Sequence, residues 1–479
     1  MNAAANANYV AYFAVLIWPI VALVLYSRLP VGRATIWTIL AAYVLLPLGT
    51  QIKIPVIPEF DKYTVPDMAA LGCFFLFQRR RLKLFYGFGI AEILLIVLNL
   101  SPFITSLHNA DPILSIHGDL LAPGVGPYDA GSAILLQFFL MTPFFLGRQM
   151  MRRPEDSIDI MRALVLVGLI YSLPMLFEIR MSPQLNTWIY GYLPKASFAQ
   201  EVRGGGFRPV VFVGHGLLLA FFTMTTVVAA ATLSRLRIRV WQLPAGAVMG
   251  YLSVLLLLCK TLSALLYATL LVPVVRWASP RMQIRVALFL VAVTLSYPIL
   301  RIDDRIPTDS ILKIAHTISV DREQSLKTRF DNEQQLLDKA WQRKWFGWGR
   351  YGRSRIYDDD GKDISTTDGF WIITLGGYGL VGFAALFGLL AFTIFRAATA
   401  LKYAGSKQDA ALLAAQALLV AIYMINLVPN SAFYPWTWLL VGSLLGRAEQ
   451  LRATAEQPAP RRELKLAPVG SRSQVQRKA

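Results

Sequence analysis

A chain of 479 residues with 55% hydrophobic and only 16% charged side chains falls outside the soluble globular class, in which about a quarter of residues carry charge. Its formal net charge of +18 does not point to nucleic acid, because the bases gather on no polar domain and lie instead in short clusters between apolar runs of roughly 15 to 25 residues, a length matched to a hydrocarbon core of about 30 Å. Cys73 and Cys259 both sit inside apolar runs, so neither a disulfide framework nor a cysteine-based metal site is suggested.

In chain order the runs predict spans near 9–26, 34–50, 65–78, 84–100, 131–147, 160–178, 209–233, 241–258, 261–275, 286–300, 369–395, 409–427 and 433–446. The first has no basic segment before it and no small-residue cleavage site after it, so it reads as a span and not as a signal peptide. The 241–275 stretch fits either two short spans or a re-entrant pair. The expected fold is an all-α polytopic integral membrane protein of about thirteen transmembrane helices. Four parts are predicted: a transmembrane bundle of about ten spans (1–300), a long extracytoplasmic loop (301–368), C-terminal transmembrane helices (369–446) and a disordered basic tail (447–479).

Alternate connections hold more than half of the 47 basic residues: Arg28/Arg33, Arg79 to Lys83, Arg148 to Arg162, Arg235 to Arg239, Arg276 to Arg285, Arg396 to Lys407, and the tail from Arg447. By the positive-inside rule these connections face the cytoplasm. That places the N-terminus outside, the C-terminus inside and the 301–367 loop outside a bacterial inner membrane. The tail serves either to attract anionic lipid head groups or to anchor the topology in solvent.

Charge at membrane depth, or on the outer loops of so apolar a chain, marks candidate functional residues. The 180–208 loop ends in Arg203-Gly204-Gly205-Gly206-Phe207-Arg208-Pro209, where glycines permit close approach of backbone to a ligand and guanidinium groups fork onto phosphate oxygens. Arginines snorkelling from a flexible loop are the plainer reading. His215 follows as a possible liner of the same cavity, and Lys260 stands between two apolar runs, placed either to hold a phosphate or to snorkel.

In the long loop, Asp321 to Lys344 scatters Phe330, Leu336, Leu337, Ala340 and Trp341 among charges, as an amphipathic helix does on a membrane or over a cavity. The following Trp345-Phe346-Gly347-Trp348-Gly349-Arg350 suits either sugar stacking with phosphate contact or an interfacial aromatic belt. Asp368 stands where the chain re-enters the membrane. It fits a base for an attacking hydroxyl, but the sequence by itself favours an N-cap.

His108, His117, Asp111 and Asp119 match no metal spacing, and no nucleotide-binding glycine motif occurs. Glu92 and Glu178 are the obvious acids within the runs. A transporter would carry more charge near the midplane and paired broken helices.

In order and spacing these features resemble the O-antigen ligase and O-antigen polymerase superfamily, membrane glycosyltransferases that act on undecaprenyl-diphosphate-linked sugars. The resemblance rests on Arg203/Gly206/Phe207/Pro209, on Lys260/Ser263, on a loop helix that includes Arg329, on Phe346-Gly347-Trp348-Gly349, and on Asp368 followed by Gly379-Leu380-Val381-Gly382. Ligases of the family place histidine eleven residues before the last motif. Aspartate stands there here, which leans toward a polymerase.

The resemblance implies a GT-C-like fold and a metal-independent, cofactor-free glycosyl transfer from a lipid-linked donor to a glycan acceptor. Arg203 and Arg208 would bind the diphosphate, assisted by Lys260 or Arg329, and Asp368 would orient or deprotonate the acceptor. His215, Trp348 and Arg350 would contact substrate. Membrane lipids and a chain-length regulator are the expected partners, nucleic acid is not, and a ligase or a lipid-linked oligosaccharide flippase are the alternatives.

Overall fold

The computed structural model describes residues 7–53, 59–79, 81–193, 198–203, 205–431 and 433–456. The chain runs through α1 (Tyr9–Arg28), α2 (Val31–Leu45), α3 (Thr64–Gln78), α4 (Ile90–Leu107), α5 (Pro127–Met150), α6 (Pro154–Met181), a short α7 (Leu185–Tyr190), α8 (Gly216–Arg235), α9 (Ala245–Leu258) and α10 (Leu262–Trp277). Then follow α11 (Pro280–Ile302), α12 (Thr308–Ile318), α13 (Val320–Gln342), α14 (Phe370–Ala400), α15 (Lys407–Asn426) and α16 (Pro435–Glu456). Three small antiparallel hairpins, at 113–122, 202–207 and 239–244, and two short 3-10 turns, Phe198–Glu201 and Leu401–Tyr403, complete the described elements. The protein is therefore an all-α, multi-pass membrane protein. Among the described residues eight helices (α1, α4, α5, α6, α8, α11, α14 and α15) are long and apolar enough to cross a bilayer.

Each apolar run contains a helix, but the edges move where the backbone leaves helical geometry. The 84–100 run becomes a helix only from Ile90, because Gly87 (φ +124°) turns the chain and Gly89 is the extended N-cap. The 209–233 run becomes a helix only from Gly216, since Val211 (φ +48°) and Gly214 (φ +91°) hold 208–215 as a buried, irregular segment. Non-helical backbone at such a level needs partners within the protein. The carboxylate of Glu178 accepts from the Val210 and Val211 amides at 2.8 and 2.7 Å, and the Tyr171 hydroxyl accepts from Phe212 at 3.0 Å.

The 241–275 stretch resolves into α9 and α10, of 14 and 16 residues, split at Lys260 (φ +50°). At about 1.5 Å per residue each reaches only some 21–24 Å, less than the hydrocarbon thickness.

Helices α8 and α15 form the buried centre: 89% and 83% of their apolar windows are inside the protein. The closest pairing joins α5 to α16, where Gly442 and Gly446 make a small-xxx-small face. A Cβ on Gly442 would lie 2.1 Å from the Phe144 carbonyl oxygen, one on Gly446 2.3 Å from that of Arg148, and one on Gly147 2.7 Å from that of Leu439. Between membrane helices such close backbone packing supplies attraction that hydrophobicity cannot, because lipid is equally apolar.

The expected outer loop is two helices and a clamp. Helix α13 is the predicted amphipathic element. It buries Leu336, Leu337 and Ala340 and leaves Trp341 exposed. After it the chain turns into α14, which breaks at Gly379 (φ +67°, ψ −168°). The groups freed by the break bind the loop: Trp348 and Gly349 donate to the Gly376 and Gly377 carbonyls, and Leu380 and Val381 donate to those of Lys344 and Trp345. The glycines of the loop motif thus allow backbone to meet backbone, with a Cβ on Gly347 only 2.6 Å from Gly377 and one on Gly379 2.3 Å from Trp345.

Candidate functional site

Two groups of polar side chains gather at the end of the bundle that carries α13. The first surrounds the 202–207 hairpin. Arg203 and Gly206 pair across it, and Gly204 lies outside the described residues. Lys260 donates from Nζ to the Arg203 carbonyl at 3.0 Å, while Arg208, 7% exposed, donates from Nη2 to the Lys260 carbonyl at 3.3 Å. At two points glycine lets these side chains approach the backbone closely. A Cβ on Gly206 would sit 2.5 Å from the Lys260 ammonium, and one on Gly216 2.0 Å from Cδ of Arg208.

His215 caps α8, its Nδ1 accepting from the Leu217 amide at 3.1 Å. The buried carboxylate of Glu201 lies 3.6 Å from that ring nitrogen. Burial depresses the Arg208 guanidinium from its ordinary value, partly offset by the Glu201 charge. Arg203, Arg208, Lys260 and His215 are thus brought into one neighbourhood, organised around an acid that the sequence did not single out.

Beneath this neighbourhood Lys62 is buried and donates to the Phe212 carbonyl at 2.7 Å. Burial pushes its pKa down to about 7. Together with Glu178 it fixes the 208–215 segment from below.

The second group lines a cavity of about 300 Å³ roofed by α13. Asp368 Oδ2 stands 3.4 Å from Arg329 Nε, both side chains about 40% exposed at the cavity. The N-cap reading of Asp368 is corrected: Gly369 holds the N-cap of α14 and Asp368 turns to Arg329 instead. Beside them, Glu333 accepts from the Tyr297 hydroxyl at 2.9 Å and from Arg301 Nε at 3.0 Å. Burial raises the Glu333 carboxyl above its ordinary value against the pull of those two donors. Tyr267, two turns along α10 from Lys260, lines the same cavity.

Trp348 and Arg350 lie elsewhere. The Trp348 indole is 8% exposed, its ring carries the Lys339 and Arg343 cations at 4.0 and 4.4 Å, and its Nε1 donates to the Lys339 carbonyl. A ring so covered cannot stack on a sugar, so the motif tryptophan is a structural wedge. Arg350 reaches Ser132 at 3.5 Å and lies 5.5 Å over Tyr351. His108 and Asp111 are likewise structural. Arg343 donates to the His108 carbonyl and to Asp111, and the fully buried Arg353 binds the Asp111 and Pro123 carbonyls. The expected disordered tail is corrected at its start, because α16 continues through Glu456 and buries Arg447, Ala448 and Leu451; beyond residue 456 it lies outside the described residues.

Glu201, Glu333, Arg301 and Tyr297 are the residues that sequence reasoning missed. Arg301 and Glu333 are separated by α12, and no spacing rule connects them. Charge abutting an apolar run marks Arg301, whereas Glu333 is one charge among many on α13. No protein-family model matches the chain, and no curated protein matches it.

Proposed function

We propose that this protein is a membrane glycosyltransferase that lengthens a surface polysaccharide by joining undecaprenyl-diphosphate-linked oligosaccharide repeats, and that its thirteen apolar helices all enter the membrane with the α13 end outward. The observation that carries the reading is the cavity in which the Asp368–Arg329 pair stands beside Glu333, at the same end of the bundle as the gathered cations Arg203, Arg208 and Lys260. The ordered motifs of the superfamily, and aspartate where its ligases carry histidine, favour polymerisation.

In the reaction the acceptor hydroxyl oxygen attacks the anomeric carbon of the donor sugar and its proton passes to a carboxylate. The bond from the anomeric carbon to the diphosphate oxygen breaks, and its electron pair leaves on the lipid diphosphate. Asp368, oriented by Arg329, takes the proton; the raised affinity of Glu333 for protons equips it to relay or receive it. The developing charge on the diphosphate falls to guanidinium groups, whose planar fork matches phosphate oxygens and whose effect grows where water is excluded.

The test is elongation of a purified lipid-linked repeat in proteoliposomes, read as a ladder of chain lengths. Asp368→Asn and Arg208→Gln are expected to slow elongation by about 10²-fold or more while inserting normally. Ladders from both variants at the parental rate would defeat the proposal, and transfer to an unrelated lipid without lengthening would make the protein a ligase.

A further inference from the structure

The far end of the same helices holds a second cavity that the proposed reaction does not use. It measures about 570 Å³ and lies between the ends of α4, α5, α14 and α16. Arg148, Arg152, Arg396 and Arg452 line it together with Glu92, Glu449 and Glu456, four guanidinium groups against three carboxylates.

Arg148 is 1% exposed and binds both Glu92 and Glu449 at 2.6 Å, yet its Nη1 has no hydrogen-bond partner among the described residues. A buried donor left unmade is costly, and here it belongs to a cavity-lining residue. Arg148 and Arg152 also lie over the Tyr86 ring, at 4.7 and 5.1 Å. Arg148 claims Glu92 and much of Glu449, and the Arg452–Glu456 contact is loose at 3.9 Å. Arg396 has no carboxylate within 4 Å among the described residues. Two arginines therefore face the cavity with little compensation, an arrangement that an anion completes.

The rim decides what kind of anion. Phe88 is 86% exposed and Ile90 59%, and both line the cavity mouth. A free phosphate has no use for such a rim, whereas an amphiphile lays its chains on it and its head group inside. The cavity also sits at the end where the arginine-rich connections gather, roughly 40 Å along α14 from Asp368.

We infer that this cavity is a binding site for the phosphate head group of an anionic phospholipid, held by Arg396 and Arg452 with the unmatched Nη1 of Arg148 behind them. The inference stands whether or not the protein transfers sugars.

Native mass spectrometry of the full chain in detergent tests it, with phosphatidylglycerol, phosphatidylcholine and inorganic diphosphate titrated separately. Phosphatidylglycerol should stay bound where phosphatidylcholine is lost. The double variant Arg396→Gln/Arg452→Gln should weaken retention by about tenfold or more with its lipid-free melting temperature within a few degrees of the parent. Equal retention by the double variant, or of both lipids, would overturn the site. Diphosphate bound in place of lipid would overturn the lipid assignment.

Discussion

Glu333 shows how a single carboxyl can report on its surroundings. Burial lifts its proton affinity above the ordinary carboxyl value, while Tyr297 and Arg301 pull the other way. As pH rises from about 4.5, the unfolded chain releases this proton before the folded protein does. The unfolded state then binds fewer protons, so stability must fall with rising pH, by up to about 1.4 kcal/mol per unit, until the raised folded value is passed. Glu333→Gln removes that slope. Melting curves between pH 4 and 7 should show the parent losing stability relative to the variant as pH rises; parallel curves would mean that Glu333 does not keep its proton. Asp368 stands at the same cavity, 3.4 Å from Arg329 Nε. Its role rests on geometry.

Among the elements, the break in α14 governs how the cavity is built. Gly379 occupies a backbone region open essentially to glycine alone, worth about 1–3 kcal/mol to any other residue. Its missing Cβ also admits Trp345. Gly379→Ala should therefore release the 344–349 clamp, and limited proteolysis should cut the variant between Arg343 and Arg355 at sites the parent protects. An unchanged digest would show that the clamp does not depend on the break.

This element also shows where sequence was legible. The apolar runs located each of the eight long apolar helices because bilayer thickness writes itself directly into run length. The glycine-aromatic loop and the Gly379 motif were visible as motifs, yet their purpose was not, since it consists of backbone pairing between segments some thirty residues apart. Arg203, Arg208 and Lys260 were found because charge beside apolar runs is conspicuous. Glu333 escaped notice for the opposite reason: on α13 it is one charge among many, and only the packing of α13 over α11 distinguishes it. Asp368 had the spacing of a cap but lies one residue too early to serve.

For the whole molecule the decisive property is which end faces outward. The positive-inside count and the contacts agree on how the ends are shared: Arg33–Asp159, Arg148–Glu449 and Arg447–Asp409 tie helices at one end, and Lys62–Phe212 with Arg329–Asp368 ties them at the other. The proposed reaction needs the second end outside, where the repeats it would join are exposed. The native thiols do not interfere, because Cys73 and Cys259 are both buried. A cysteine introduced by Asp360→Cys, on the exposed segment before α14, should react with a membrane-impermeant maleimide in intact spheroplasts. One introduced by Lys407→Cys, at the start of α15, should react only after the membrane is opened. The reverse pattern would place the Asp368 cavity and its cations in the cytoplasm. It would also turn the arginine-lined cavity toward the outer leaflet, so one labelling experiment constrains both assignments at once.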